Sequence, residues 1–339
     1  MNNRPSNYKK LTQKDMMYIA EGSITYGKTQ AILSQETGFA PTTINDFLNR
    51  RTQKAFWDLW DNLDEVVEST GIPKHELKIF IYDIETSPIL GYFWGLFKQN
   101  IGINMIKEDW FVMTWAGKWF GEETIYHDSC WNHGFDSDNK EGCDREVIES
   151  LWRMFDEADM IVAHNGNRFD IKKVTARAIT LGIKPHKPVK QIDTMLIAKG
   201  VAAFTSNKLD YLAQILCGES KVDTGGFSLW ERCLAGDESA WRLMLEYNIN
   251  DVTILENVYV ALAPYDKRSP SFLTHVDSAV TRCISPICGS TNVVETGTTV
   301  KTNVSEFVGY CCQDCGKQMR GRKSVRNKAQ REATVMNVL

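Results

Sequence analysis

The 339-residue chain contains no run of 18 or more apolar residues, and its opening, Met1-Asn2-Asn3-Arg4-Pro5, lacks the apolar stretch of a secretory signal. These absences argue against a membrane span and against secretion, so a soluble cytoplasmic protein is expected. A strong net charge is missing too, since the formal sum is only −4. The charge is unevenly spread: the first 55 residues hold 8 Lys or Arg against 4 Asp or Glu, and residues 266–339 hold 11 against 6, which leaves an acidic centre between basic ends. That arrangement suits a chain that grips a polyanion with its flanks and presents carboxylates between them. No disulfide framework is expected. Four of the nine cysteines (Cys130, Cys143, Cys217 and Cys233) are scattered and read as small buried hydrophobes, while the other five lie near the C-terminus.

At 43% hydrophobic residues the chain can bury a large core, and its length allows two domains, or one large domain with two small ones. A helical pattern is plausible from Leu11 onward. The stretch Thr29 to Ala40 then reads as a helix with Ala31, Ile32 and Gln35 on one side, broken at Gly38, with Pro41 opening a second helix whose apolar residues are Ile44, Phe47 and Leu48. The pair resembles a helix-turn-helix within a domain of residues 1–70. That resemblance implies groove contacts from Thr42, Thr43, Asn45, Asp46 and Asn49 and phosphate contacts from Arg50, Arg51 and Lys54, with a purely structural helical module as the alternative. Trp57 and Trp60 begin a further helical run through Val66.

The stretch Lys78-Ile79-Phe80-Ile81-Tyr82-Asp83-Ile84-Glu85-Thr86 reads as a strand buried on both faces. Residues i and i+2 of a strand point to the same side about 6 to 7 Å apart, so Asp83 and Glu85 repel one another unless a cation lies between them. Residues 110–116 and 123–127 read as two more strands of an antiparallel meander, residues 144–158 as an amphipathic helix, and Met160 to Ala163 as a short buried strand. That strand delivers Asn165, Asn167 and then Asp170, which lies in the first turn of the next helix, where the helix dipole favours a negative charge. Gln191 to Met195 is another strand-to-helix junction, and Lys208 starts a further helix. In the last helix Tyr247 and Asp251 are four residues apart and share a face.

Asp83-Ile84-Glu85-Thr86, Asn165 to Asp170 and Tyr247 to Asp251, in that order and on those elements, resemble the three motifs of the DEDD exonucleases of the ribonuclease-H-like fold. The tyrosine four before the last aspartate is similar to the DEDDy branch, which includes the proofreading domains of family B DNA polymerases. Residues 84–104 and 115–122 also resemble stand-alone phage and bacterial exonuclease-like proteins, for which the host cytoplasm would be the compartment. The resemblance covers about 185 residues, 77–265. It implies an α/β fold with a mixed sheet flanked by helices, and 3′–5′ hydrolysis of nucleic acid, DNA rather than RNA, with a replication or repair protein as a possible partner. It also implies two divalent ions, Mg²⁺ or Mn²⁺, held by Asp83, Glu85, Asp170 and Asp251, with Tyr247 orienting the attacking water. Asn165 and Asn167 would tie down their turn or touch the strand, and His164 would be structural or substrate-side. Tyr92, Phe93 and Trp94 are expected in the core, with base stacking as the alternative.

Near the C-terminus, Cys283 and Cys288 and then Cys312 and Cys315 flank β-forming sequence and resemble a zinc ribbon over residues 280–320, with turns at Cys288-Gly289 and Cys315-Gly316. Such ribbons usually open Cys-Pro-x-Cys-Gly. Here Ser285 stands at the first place, so Cys283 is the expected replacement and Cys311 a spare. Arg320, Arg322 and Lys323 lead into a basic, disordered tail over 321–339, suited to phosphate contact. Two other readings are a sequence-specific DNA-binding protein with an inactive nuclease fold and a transposase- or integrase-like enzyme. The intact carboxylates oppose the first, and the Asp-x-Glu strand with the Tyr-x-x-x-Asp helix opposes the second.

Overall fold

The structure, a computed structural model, describes residues 16, 19, 29–49, 77–98, 100–140, 142–219, 225–276 and 278–335. The chain divides into two compact units, Met1–Lys74 and His75–Leu339.

In the first unit, Gln30–Thr37 (α1) ends at Gly38, whose φ of 70° is a left-handed C-cap, and Pro41–Leu48 (α2) starts with proline at its first position. Leu33, Phe39, Ile44 and Phe47 pack with Ile19. The buried side of α1 is therefore that of Leu33, whereas Ala31, Ile32 and Gln35 are exposed, because the fold turns the helix toward Phe39 and α2. Arg50, Arg51, Lys54, Trp57, Trp60 and Val66, and the helix expected from Leu11, lie outside the described residues apart from isolated helical positions at Met16 and Ile19.

The second unit is built on Ile79–Thr86 (β1), whose residues are almost all apolar up to Asp83 and buried. Leu90–Gly91 (β2) and Ile106–Glu108 (β3) form a separate short pair, and Val112–Trp119 (β4) and Ile125–Ser129 (β5) follow. Arg145–Glu157 (α3), Met160–Ala163 (β6), Asp170–Thr180 (α4) and Lys190–Asp193 (β7) come next. Thr194–Val201 (α5), Leu209–Cys217 (α6), Ser228–Leu234 (α7) and the 25-residue Glu238–Leu262 (α8) complete this part.

The main sheet runs β5-β4-β1-β6-β7, with β1 antiparallel to β4 and parallel to β6, and β6 parallel to β7. The fold is α/β, with helices flanking this mixed sheet. Side chains alternate across a strand, so Phe80, Tyr82 and Ile84 enter the core that also holds Leu151 and Phe155 of α3, while Ile79 and Ile81 enter the other with Val252, Leu255 and Val258 of α8. Asp83 and Glu85 continue the second series. Their strand thus directs them to the side on which α8 packs. Gly117 is required where β4 crosses β1, since a Cβ there would come within 2.3 Å of the Phe80 ring.

The cysteine-rich segment forms a three-stranded antiparallel sheet of Val293–Lys301 (β8), Glu306–Cys312 (β9) and Gln318–Ser324 (β10), followed by Lys328–Glu332 (α9). Arg320, Arg322 and Lys323 are therefore residues of β10 and not of a disordered tail: backbone pairing of Gln318 to Arg320 with β9 extends the sheet beyond the last cysteine. Among the described residues no helix is long and apolar enough to cross a membrane.

Candidate active site and metal centres

Three carboxylates converge at the C-terminal end of β1. Oxygens of Asp83, Glu85 and Asp251 all lie within 4.8 Å of one another. Asp251 is buried on the inner stripe of α8 with Asn248, Val252 and Leu255. That helix is fastened to the sheet by Lys118 of β4, whose ammonium meets Glu256 at 2.5 Å, the Glu256 carboxylate also accepting from the Gly121 N–H at 2.8 Å. Both partners of the ion pair are mostly buried, so the pair fixes the rotation of α8 about its axis better than a surface pair would.

Asp170, the first residue of α4, is not one of the three carboxylates that converge. It is buried at the N-terminus of α4 and accepts a hydrogen bond from the backbone of Ile84, the residue between Asp83 and Glu85. Burial pushes its carboxyl up to about 7, with backbone hydrogen bonds from its own N–H and that of Ile84 opposing the shift and nearby Asp193 adding to it. Asp83, Glu85 and Asp251 are hard oxygen donors, closely spaced and partly withdrawn from water, and so fit Mg²⁺ or Mn²⁺. Tyr247 is half-buried, one turn before Asp251 on α8.

Two further residues shape this site. Asn248 is fully buried; its Nδ2 donates to Asp83 Oδ2 at 2.8 Å, and its Oδ1 accepts from Thr114 Oγ1 of β4 at 2.9 Å. Thr114 pairs across the sheet with Glu85. The Thr114–Asn248–Asp83 chain therefore orients the carboxylate from behind. Asp193, at the end of β7, accepts from the backbone N–H groups of Asn165 (3.1 Å), Asn167 (3.2 Å) and Leu196 (3.2 Å), and so caps α5 while holding the turn that leads to Asp170. Asn165 adopts φ 67°, which asparagine tolerates better than most residues. A Cβ at Gly166 would fall 2.0 Å from Gln191 Nε2 and 2.6 Å from Ala163 Cβ. His164 is held by Thr194 Oγ1 and by the Asn207 carbonyl, both at 2.8 Å. The sequence signal for Asn248 was its place beside Tyr247, and for Asp193 its strand-to-helix junction; neither reveals a partner.

The second centre is a cluster of four thiols, Cys283, Cys288, Cys312 and Cys315, whose sulfurs lie within 4.8 Å of one another. Cys283 Sγ is 3.5 Å from Cys315 Sγ, and Cys288 Sγ is 3.7 Å from Cys312 Sγ. A tetrahedron with Zn–S bonds of about 2.3 Å has S···S edges of about 3.8 Å, so the donor set and spacing fit zinc. Cys311 is turned away and accepts from Gln318 Nε2 at 3.0 Å. Both knuckles rest on the segment that follows α8. Gly289 lies against the Phe272 ring, and the buried Lys317 ammonium donates to the carbonyls of Ala263 (3.0 Å) and Asp266 (2.5 Å) just past the end of α8.

Of the residues expected to touch nucleic acid, Thr42 and Asn49 are exposed. Asn45 Oδ1 accepts from Gln30 and Asn49 side chains. Asn165 and Asn167 give backbone N–H groups to Asp193, and the Arg320 guanidinium lies 4.0 Å from the Phe307 ring centroid. Tyr92, Phe93 and Trp94, expected in the core, are exposed instead: the chain between β2 and β3 leaves the sheet and packs against neither core cluster.

A family model described as the RNase H superfamily matches residues 131–263, a span that takes in Asp170, Tyr247 and Asp251 but not Asp83 and Glu85. The match and the mixed sheet flanked by helices are consistent with a ribonuclease-H-like α/β fold, which suggests metal-dependent nuclease activity on nucleic acid. No curated protein matches the chain.

Proposed function

We propose that residues 77–265 are a DEDDy-type 3′–5′ exonuclease that removes nucleotides from the 3′ end of nucleic acid, with DNA as the favoured substrate. The observation that carries this reading is the convergence of Asp83, Glu85 and Asp251 within 4.8 Å beside a buried Asp170 that is bonded to the backbone between the first two. Asp83, Glu85 and Asp251 would hold divalent ions, with Asp170 contributing directly or through water. When bound, a pair of such ions lowers the pKa of the attacking water and offsets charge on the leaving 3′ oxygen.

The protein's own groups then supply position. Asn248 donates to Asp83 and leaves the other carboxylate lone pairs directed at the cation site. Tyr247, on the same helical face as Asp251, orients the attacking water; a phenol with an ordinary pKa of about 10 is a poor base at neutral pH, so its part is alignment and not deprotonation. Burial of Asp170 and Asp251 keeps bulk water from competing for the same positions.

Residues 280–320 are proposed as a structural zinc ribbon, with Arg320, Arg322 and Lys323 available to phosphates, and the helical pair within 1–70 as an accessory nucleic-acid contact through Thr42, Asn45 and Asn49 together with Arg50 and Arg51. The test is a panel of 3′- and 5′-labelled DNA and RNA strands incubated with Mg²⁺ or Mn²⁺, using wild type, Asp251→Ala and Tyr247→Phe. Stepwise shortening from the 3′ end, abolished by Asp251→Ala and slowed by Tyr247→Phe, is expected. Intact 3′ ends with wild-type protein would refute the reading, and strand-transfer products would replace it with a transposase-like activity.

A further inference from the structure

Two residues past Glu85 the chain leaves the sheet and does not rejoin it until Phe111. The base of this excursion is closed by two hydrogen bonds, Ser87 N–H to the Phe111 carbonyl and Phe111 N–H to Ser87 Oγ, both 2.9 Å, and β2 pairs with β3 above it. Beyond that pair the segment displays large apolar side chains to solvent: Tyr92 is 69% exposed, Trp94 96%, Leu96 81%, Phe97 87% and Ile103 88%. Burying aromatic rings is among the largest favourable terms open to a protein, so a string of them held in water marks a binding surface.

Composition and place together indicate what binds. From Ile89 to Ile103 the only charged residue is Lys98, so no carboxylate would repel a phosphate. Where the excursion returns, the Lys173 ammonium of α4 stands 3.6 Å from the Trp110 ring centroid, with the Asp109 carboxylate close enough to interact with it. The segment also begins beside the carboxylate cluster, past which any strand entering for cleavage must run.

We infer that residues 89–98 and 100–103 form a stacking finger that grips the unpaired 3′-terminal bases of a single strand, with Tyr92, Trp94 and Phe97 as the stacking faces and Lys98 facing its phosphates. The inference rests on the nuclease reading above and deepens it. Every base has a π-face, so the finger favours unpaired over paired ends without selecting sequence, because bases in a duplex are already stacked on each other.

The test uses the full-length protein and a fluorescent single-stranded 12-mer without added divalent metal, so that binding is read apart from cleavage. Trp94→Ala and Phe97→Ala are each expected to raise Kd about tenfold, while Trp94→Phe retains most of the affinity. The loss should vanish on a 12-mer whose last four nucleotides are abasic, since the ring then has nothing to stack on. Alanine variants that bind within twofold of wild type, or that lose the same factor on the abasic strand, would overturn the inference. So would unchanged binding together with conversion of a wild-type dimer to monomer, which would make the finger a protein–protein contact. Hydrolysis of thymidine 5′-(4-nitrophenyl phosphate) by the wild type is measured alongside. Its absence counts against the nuclease reading, while the binding data still decide the finger.

Discussion

Replacement of Asn248 by alanine examines how the first carboxylate is held. The side chain is fully buried, and its two hydrogen bonds are 2.8 Å to Asp83 Oδ2 and 2.9 Å from Thr114 Oγ1. The first, to an ionised acceptor, contributes about 1.5 to 3 kcal/mol; loss of the second leaves a buried hydroxyl unsatisfied, at about 1 to 3 kcal/mol. Partial relaxation and solvation of the exposed Asp83 edge reduce the sum, so Asn248→Ala is expected to lower unfolding free energy by about 2 to 4 kcal/mol in urea titrations. Freeing Asp83 to rotate should also weaken divalent-ion binding about 10- to 100-fold, as loss of groups that orient metal ligands generally does. Asn248→Asp separates orientation from volume. It keeps the size but sets an oxygen against Asp83 at the distance of the present hydrogen bond, so the metal-free protein should be less stable than Asn248→Ala and recover more on adding Mn²⁺. Titration calorimetry with Mn²⁺ and paired urea melts with and without the ion read both effects. Wild-type Mn²⁺ affinity in Asn248→Ala would refute the orienting role, even if stability fell.

Three other expectations follow from particular contacts. Chelation, or Cys312→Ser, should release one equivalent of zinc and lower Tm, and Lys317→Met should lower it with the zinc retained, because the Lys317 ammonium closes the carbonyls past α8; absorbance with a chelating dye and thermal melts check this. Asp128 is subject first to burial, which raises its carboxyl, but hydrogen bonds from His133, Ser150, the Ser129 N–H and Asn132 outweigh it and hold it below the ordinary 3.8. A depressed folded-state value means stability that is present above about pH 4 and lost as the pH falls through the folded value, so Asp128→Asn should flatten the acid limb of urea midpoints plotted against pH. Gly166→Ala forces a methyl onto Gln191 and Ala163 and should cost about 1 to 3 kcal/mol in urea and, if the proposed nuclease reading holds, slow cleavage, since the displaced turn carries Asp170.

Local pattern was enough wherever periodicity was strong. The apolar run before Asp83, the amphipathic residues 144–158, the strand at 160–163 and the long last helix were all legible, because each pattern has one way to bury its apolar side. Spacing left Cys283 and Cys311 both open for the place held by Ser285, and it is the fold that gathers the Cys283 sulfur with those of Cys288, Cys312 and Cys315. Weak patterns misled. In α1 the choice between the Ile32 and Leu33 sides depended on a neighbouring helix, and Arg320 to Lys323 read as tail because a short polar strand becomes one only through pairing with β9.

By itself the sequence determined which elements carry Asp83, Glu85, Asp170 and Asp251 and the order in which they come. Tertiary structure decided everything that depends on residues far apart meeting: Asn248 reaching Asp83 across 165 residues and Thr114 across 134, Asp193 holding a turn 26 and 28 residues earlier, and the aromatic segment after β1 remaining in water. The physical reason is that a polar side chain takes its partner from the packing of whole elements, and an apolar one takes its exposure from where the chain leaves the sheet. Neither is written in the residues next to it.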